Sequence, residues 1–239
     1  MNSVHAKLKG TLVGGADEAG RGPVIGPLVL CVAIFEKDRE HELRQIGVKD
    51  SKMLSPAKRE ELAPILRDMC HLHVIKIHAK ELNTLMKQKI SLNEIEAMKV
   101  ADAMAGIETD IVKRLDKIYV DAPDPDASRF TKRIVSHLPL NAPIGGKIHS
   151  SHKADVIYPI AGAASVVAKV TRDQEIEKIK TELGCNFGTG YSHDAATIKC
   201  VEENIDNPIL KKYLRTEWAT TRNIIAKMKY TTKQVKLDF

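Results

Sequence analysis

Two adjacent acids at the end of an apolar run constrain this chain more than any other feature. Residues 11–16 (T-L-V-G-G-A) read as a β-strand that stops on Asp17 and Glu18. A glycine-flanked arginine, Gly20-Arg21-Gly22, follows at once, and Pro23 closes the turn. Two carboxylates at a strand end can hold a hard divalent cation. Glycines on each side of Arg21 let backbone N–H groups approach a phosphate or a sugar with no Cβ in the way. The segment thus sets a metal site beside an anion cradle, the layout that phosphodiester chemistry needs. In a regular strand Asp17 and Glu18 point to opposite faces. Both can serve one site only if the pleat breaks there, and Gly20 and Gly22 supply such a break.

The rest of the chain alternates strands with helices, the pattern of an α/β sandwich. Residues 28–35 (L-V-L-C-V-A-I-F) are a continuous apolar run, expected of a strand covered on both faces. The link from the first strand is too short for a parallel crossover, so that pair is antiparallel and the sheet mixed. Gly47–Ser55 is a polar loop containing Asp50, Ser51 and Lys52. Ser55 then caps a helix with Pro56 in its first turn and Leu62, Leu66 and Met69 inward. A half-exposed strand begins at His71. His71, His73, Lys76 and His78 do not all share one face, which disfavours a histidine metal cluster. Ser91 and Glu94 form a capping box for a long helix that turns Ile95, Met98, Ala101 and Ala105 inward. The strand K-I-Y-V-D-A stops on Asp121, and Phe130, Ile134 and Leu138 mark another amphipathic helix. A short strand over Gly145–Ser151 leads to Lys153 and Asp155. The helix starting near Pro159 opens with small residues that let it lie close to a sheet. Beyond Gly184 the composition turns helical, with one helix from Asp194 and another after Pro208 that includes Trp218. This places a catalytic domain at 1–184 and a helical part at 185–239, whose last ten residues are polar and mobile.

The formal net charge of +6 favours a polyanionic partner, although a solvated basic surface has the same composition. Cys31, Cys70, Cys185 and Cys200 are widely spaced with no C-x-x-C pair. That argues against zinc ligation and a disulfide framework, and suits a reducing cytosol. No apolar segment reaches the length of a signal peptide core or of a membrane span.

Asp17, Glu18, Asp121 and Asp155 each fall at or just beyond a strand end, where open α/β folds place their chemistry. Without metal, four converging carboxylates repel one another and are pushed up in pKa; divalent cations remove that penalty. Carboxylates with retained water suit magnesium or manganese. Each acid has a plainer reading as a solubilising or turn-capping residue. Arg21 fits an ion pair equally well, Lys153 and Lys169 fit surface lysines, and Tyr191 fits simple packing. Trp218 reads as a core anchor for the helical part.

Taken as an ordered set, these residues resemble type 2 ribonuclease H. D-E-A-G-R-G-P (Asp17–Pro23) resembles the family's opening signature and K-D-S-K-M-L-S (Lys49–Ser55) its second block. Y-V-D-A holds Asp121, and Lys153–Asp173 resembles the longest signature and holds Asp155. G-T-G-Y (Gly188–Tyr191) and L-R-T-E-W (Leu214–Trp218) match later blocks; Gly162 stands where serine or alanine is commoner. The resemblance implies an RNase H-like fold with a five-stranded mixed sheet and a helical C-terminal part. It implies a monomeric endonuclease of the cytoplasm that cuts the RNA strand of RNA/DNA hybrids and incises at single ribonucleotides in duplex DNA. Asp17, Glu18, Asp121 and Asp155 would hold two Mg2+ or Mn2+ ions. Gly20, Arg21, Gly22 and Tyr191 would read the ribose 2′-hydroxyl and the RNA–DNA junction, while Asp50, Ser51, Lys52, Lys153 and Lys169 would line the substrate groove. The tail, Gln234–Phe239, resembles the Q-x-x-L-x-x-F-F motif that binds sliding clamps, with its single aromatic one residue early. Two alternatives remain open from the residues alone. One is another RNase H-like metal nuclease that needs no ribose in the cut strand; the other is a hybrid-binding protein without catalysis.

Overall fold

The computed structural model describes residues 8–48 and 53–235, with side chains up to residue 227. In chain order the elements are β1 (Leu12–Ala19), β2 (Leu28–Glu36), α1 (Glu40–Gln45), α2 (Pro56–Met69), β3 (His71–Ile77), α3 (Ala79–Lys87) and α4 (Leu92–Ala105). They continue with α5 (Thr109–Arg114), β4 (Leu115–Asp121), α6 (Ala127–His137), β5 (Ile148–Ser151), α7 (Ala154–Ile157) and α8 (Pro159–Leu183). The last three are α9 (Ala195–Asn204), α10 (Pro208–Tyr213) and α11 (Ala219–Val235).

The five strands form one mixed sheet in the order β3-β2-β1-β4-β5. β1 pairs antiparallel with β2 and parallel with β4, and β4 pairs parallel with β5. Every residue of β2 is buried, as its unbroken apolar run requires. The described residues divide into two units. The first takes those up to Ala19, Val29–Lys76 and Ser91–Thr171; the second takes Gly20–Leu28, Ile77–Ile90 and those from Arg172 on. The second unit therefore includes three segments that lie before residue 185. The first unit packs Leu12, Val32, Ile34, Phe35, Ile118, Phe130 and Val166 into one core. The second packs Val24, Ile25, Ile176, Phe187, Val201 and Leu210 into another, with Trp218 against it.

The expected start of α2 holds in detail. The Ser55 hydroxyl accepts the Lys58 N–H at 3.2 Å and Pro56 opens α2. A cap that the sequence reading did not single out is Asp126, whose carboxylate accepts the N–H groups of Ser128 and Arg129 at the start of α6. Other expectations need correction. The Ser91 hydroxyl caps α4 by accepting the Glu94 N–H, but the Glu94 carboxylate pairs with Arg133 and His137 of α6. The buried face of α4 carries Ile95, Ala97, Val100, Ala101 and Met104, leaving Met98 half-buried and Ala105 exposed. The helix after Pro208 stops at Tyr213. Leu214 then bridges to Ile25 in extended form, and Trp218 lies between α10 and α11. Backbone helix runs to Val235, into the segment expected to be mobile.

Candidate active site

Strand register brings the first acids together. Ala16 pairs with Val120 in the parallel β1–β4 ladder. Asp17 and Asp121 each follow one residue later, so they leave adjacent strands side by side, on strands about 4.8 Å apart. Asp121 is the last residue of β4 and pairs with Ser151, the last of β5. Two residues on, Lys153 adopts a left-handed conformation, with φ of 55°, and turns the chain into α7. The Ala154 N–H then donates to Asp121 Oδ1 at 2.8 Å, which fixes Asp155 close by. Asp17 and Asp155 are buried and Asp121 is half-buried.

A helix is laid over the same face. An added Cβ at Gly15 would lie 2.3 Å from the Ala161 backbone nitrogen, so α8 touches β1 there with nothing between. Two strand residues advance about 6.7 Å and four helical residues about 6 Å. The next contact along both elements is thus Asp17 with Ser165, and the two side chains do hydrogen-bond. Lys169, one further turn along, donates from Nζ to Ser165 Oγ at 2.9 Å.

The electrostatics follow from this packing. Asp17 is pushed up from 3.8 to about 7, first by burial and then by the charges of Asp121 and Asp155; the Ser165 hydrogen bond and the Lys169 charge oppose the rise. A carboxylate so placed favours either a proton or a cation. The donors offered are all oxygens, which suits magnesium or manganese.

Glu18 behaves differently. The ladder to β2 continues regularly through Asp17–Cys31, Glu18–Leu30 and Ala19–Val29. The break expected at the two acids therefore comes later, at Gly20, whose φ is +85°. Alternation sends the Glu18 side chain to the opposite face from Asp17. Its own N–H donates to Asp17 Oδ1 at 2.8 Å.

The glycine–arginine loop belongs to the second unit, and so does Tyr191. Fully buried Arg215 holds the loop by donating to the carbonyls of Gly20 (2.7 Å), Arg21 (3.1 Å) and Gly26 (2.9 Å). A Cβ at Gly20 would meet the Pro27 carbonyl at 2.7 Å, and one at Gly22 the Tyr191 ring at 3.4 Å. The N–H groups of Val24 and Ile25 donate to the Gly190 carbonyl, joining the loop to the G-T-G-Y turn. The Arg172 guanidinium sits 5.0 Å from the Tyr191 ring centroid and donates to the Thr189 carbonyl. Lys153 is exposed and Lys169 half-buried, while Asp50, Ser51 and Lys52 lie outside the described residues.

The family model for ribonuclease HII matches residues 14–221. The chain belongs to the ribonuclease HII family. Ribonuclease HII of Pyrococcus horikoshii is 40% identical over 233 residues, which span 95% of this chain and 97% of that protein. The crystal structure of ribonuclease H2 from Pyrococcus horikoshii OT3 superposes with a TM-score of 0.79 at 41% identity, covering 92% of this chain and 99% of that one. A PCNA:RNase HII complex from Archaeoglobus fulgidus gives 0.73 at 36% identity, covering 87% and 95%. Family membership makes the chain a nuclease of the hydrolase class, with ribonuclease H activity on RNA/DNA hybrids. The five-stranded mixed sheet with its helices is the fold of those neighbours.

Sequence reasoning passed over two groups and set a third aside. Ser165 stands in a small-residue stretch and reads as packing; its only signal is a hydroxyl in an otherwise apolar run. Arg215 lies in a recognised block, yet its carbonyl partners are 189 to 195 residues away. His71 and His73 do come together, and their third neighbour, Glu108, comes from a distant turn.

Proposed function

We propose that the chain is a divalent-metal-dependent endonuclease that cuts RNA/DNA hybrids and also incises at single ribonucleotides in duplex DNA, leaving 3′-hydroxyl and 5′-phosphate ends. The supporting observation is the burial of Asp17 against Asp121 and Asp155, which raises its pKa to about 7 and calls for a balancing cation. Asp17, Asp121 and Asp155 are the residues that would hold two Mg2+ or Mn2+ ions; Glu18, whose side chain leaves the opposite face of β1, would join them only by turning back around the strand end at Gly20. Such ions, when bound, supply an activated water and stabilise the leaving 3′ oxygen. The protein's own part is to keep the carboxylates aligned. The Ala154 N–H holds Asp121, and the Ser165 hydroxyl, itself held by Lys169, orients Asp17.

Ribose is distinguished from deoxyribose by its 2′-hydroxyl, which both donates and accepts. Backbone groups of Gly20, Arg21 and Gly22 meet that hydroxyl, and the Tyr191 ring stacks on the adjoining deoxyribose, where a 2′-hydroxyl would crowd it. Arg215 and Arg172 support this reading by fixing the loop and the ring from behind. Lys52, Lys153 and Lys169 contribute salt-dependent contacts to the nucleic acid backbone, and Asp50 and Ser51 line the substrate groove beside them. The tail, Gln234–Phe239, docks on a sliding clamp. The similarity to the Archaeoglobus fulgidus protein, solved in a complex with PCNA, supports this, although Lys236–Phe239 lie outside the described residues.

The test is a DNA duplex carrying one ribonucleotide, incubated with magnesium, manganese or chelator. Cutting with either ion and none with chelator is expected. Asp121→Asn abolishes cleavage while sparing hybrid binding, and Tyr191→Ala loses junction incision selectively. Cleavage that survives chelation, or equal cutting of an all-DNA duplex, overturns the reading.

A further inference from the structure

β3 begins with H-L-H, and alternation along a strand sends His71 and His73 to the same face. β3 is the edge strand of the sheet. On that face the Nε2 atoms of the two histidines stand 2.7 Å apart, with ring planes at 80°. The turn between α4 and α5 brings Glu108, the residue preceding α5, to the same point. Its Oε2 is 3.4 Å from His71 Nε2. All three donor atoms lie within 4.8 Å of one another. The histidines differ from the acids around Asp17 in chemistry. With Glu108 they offer two imidazole nitrogens and one carboxylate oxygen, a set that favours zinc and its neighbours in the transition series over magnesium.

We infer that His71, His73 and Glu108 form a second metal site, selective for a borderline transition ion such as Zn2+ and separate from the carboxylate site. At metal–nitrogen and metal–oxygen bonds near 2.1 Å, tetrahedral ligands stand about 3.4 Å apart. The His71–Glu108 separation already has that value. The two imidazoles must spread by roughly 0.7 Å to admit the ion, from a 2.7 Å contact that in the metal-free protein is a direct N–H···N hydrogen bond. The Nδ1 side of the His73 ring faces the turn at Gly106. His71 is buried and the Glu108 side chain is half exposed, so the ion enters from solvent on the Glu108 side and keeps one water ligand. Bound there, it ties the edge strand β3 to the start of α5, two elements of the first unit, and acts on stability without entering the hydrolytic reaction.

The experiment titrates the metal-free full-length protein with Zn2+ and with Co2+, alongside His73→Gln and Glu108→Gln. The carboxylate site is intact in all three, so the difference isolates this one. Wild type should bind one more Zn2+ than His73→Gln, and its Co2+ complex should show the strong visible absorption of four-coordinate cobalt. Both variants should weaken Zn2+ at least about tenfold, the least that even loss of an outer-sphere partner costs. Zn2+ should raise the unfolding temperature of wild type more than that of either variant. Exposed Glu108→Gln retains the fold and its magnesium-dependent hybrid cleavage. Wild-type zinc binding by either variant, or a cobalt spectrum unchanged in His73→Gln, overturns the inference.

Discussion

Burial at Asp17 works against ionisation because it strips solvent from the charge, and two further acids stand nearby. The consequence for stability has a definite sign. Between 3.8 and about 7 the folded protein keeps a proton on Asp17 that the unfolded chain has already released. Raising the pH through that interval therefore favours unfolding when no cation is present. At about 1.4 kcal/mol per pKa unit, the penalty at the upper end is of the order of a few kcal/mol. Glu40, also pushed up by burial, contributes in the same direction, so a comparison is needed to isolate Asp17. In chelator, Asp17→Asn should gain stability relative to wild type as the pH rises across this interval, and added Mn2+ should close the gap. Thermal unfolding over a pH series checks this; a difference that stays flat with pH would remove the electrostatic account. Asp17 and Asp121 were legible in the sequence because each follows an apolar β-run, and Asp155 because it falls just beyond a short strand, in a class of fold where strand ends converge. Ser165 was not, since a buried hydroxyl in a stretch of small residues looks the same whether it packs or orients a carboxylate. Glu18 was half legible. Its adjacency to Asp17 was plain, but only the ladder to β2 shows that the pleat runs straight through it.

The contact between β1 and α8 sets the position of everything carried on either element. Gly15 has no Cβ because the backbone of Ile160 and Ala161 occupies that space at 2.3–2.5 Å. Gly14, on the other side of the strand, meets the Ile118 side chain first, with Cγ1 at 2.8 Å. Backbone cannot step aside as a side chain can, so the two glycines should tolerate alanine very differently. Gly15→Ala should cost at least about 3 kcal/mol and Gly14→Ala about 1 kcal/mol, as overpacking of a tight core does. By moving α8, Gly15→Ala should also detach Ser165 from Asp17 and reduce hybrid cleavage in the fraction that remains folded. Urea midpoints and rates on a short hybrid measure the two effects, and equal destabilisation by both substitutions would contradict the close approach. The small-residue stretch after Pro159 made a tight helix contact legible, but not its partner. Periodicity served less well for α4, where the stripe through Ile95 and Met98 drifts from the observed face. Burial there is decided by α6, whose Arg133 and His137 also draw the Glu94 carboxylate out of its capping box. Likewise Trp218 ends in a linker because Leu214 is recruited to pair with Ile25, a partner 189 residues away that no local pattern reveals.

At the scale of the molecule the net charge of +6 acts on every polyanionic substrate alike. It supplies affinity through counterion release, and that affinity falls steeply as salt rises. A tethered clamp acts through a different term. It raises the local concentration of enzyme on duplex through contacts that need not be electrostatic. The helix α11 runs to Val235 and so takes in the first two of the clamp-like residues Gln234–Phe239. The two terms separate on a salt series. Without clamp, full-length protein and a variant lacking Gln234–Phe239 should cleave a hybrid at equal rates and lose activity in parallel as salt increases. With an archaeal sliding clamp loaded on the substrate, the full-length protein should retain its rate to higher salt, and the truncated variant should gain nothing. Pull-down by the clamp should vanish with the same deletion. If the truncated protein is captured and stimulated like the full chain, clamp binding does not reside in the tail, and the short spacing before its single aromatic, Phe239, marks a motif that does not function.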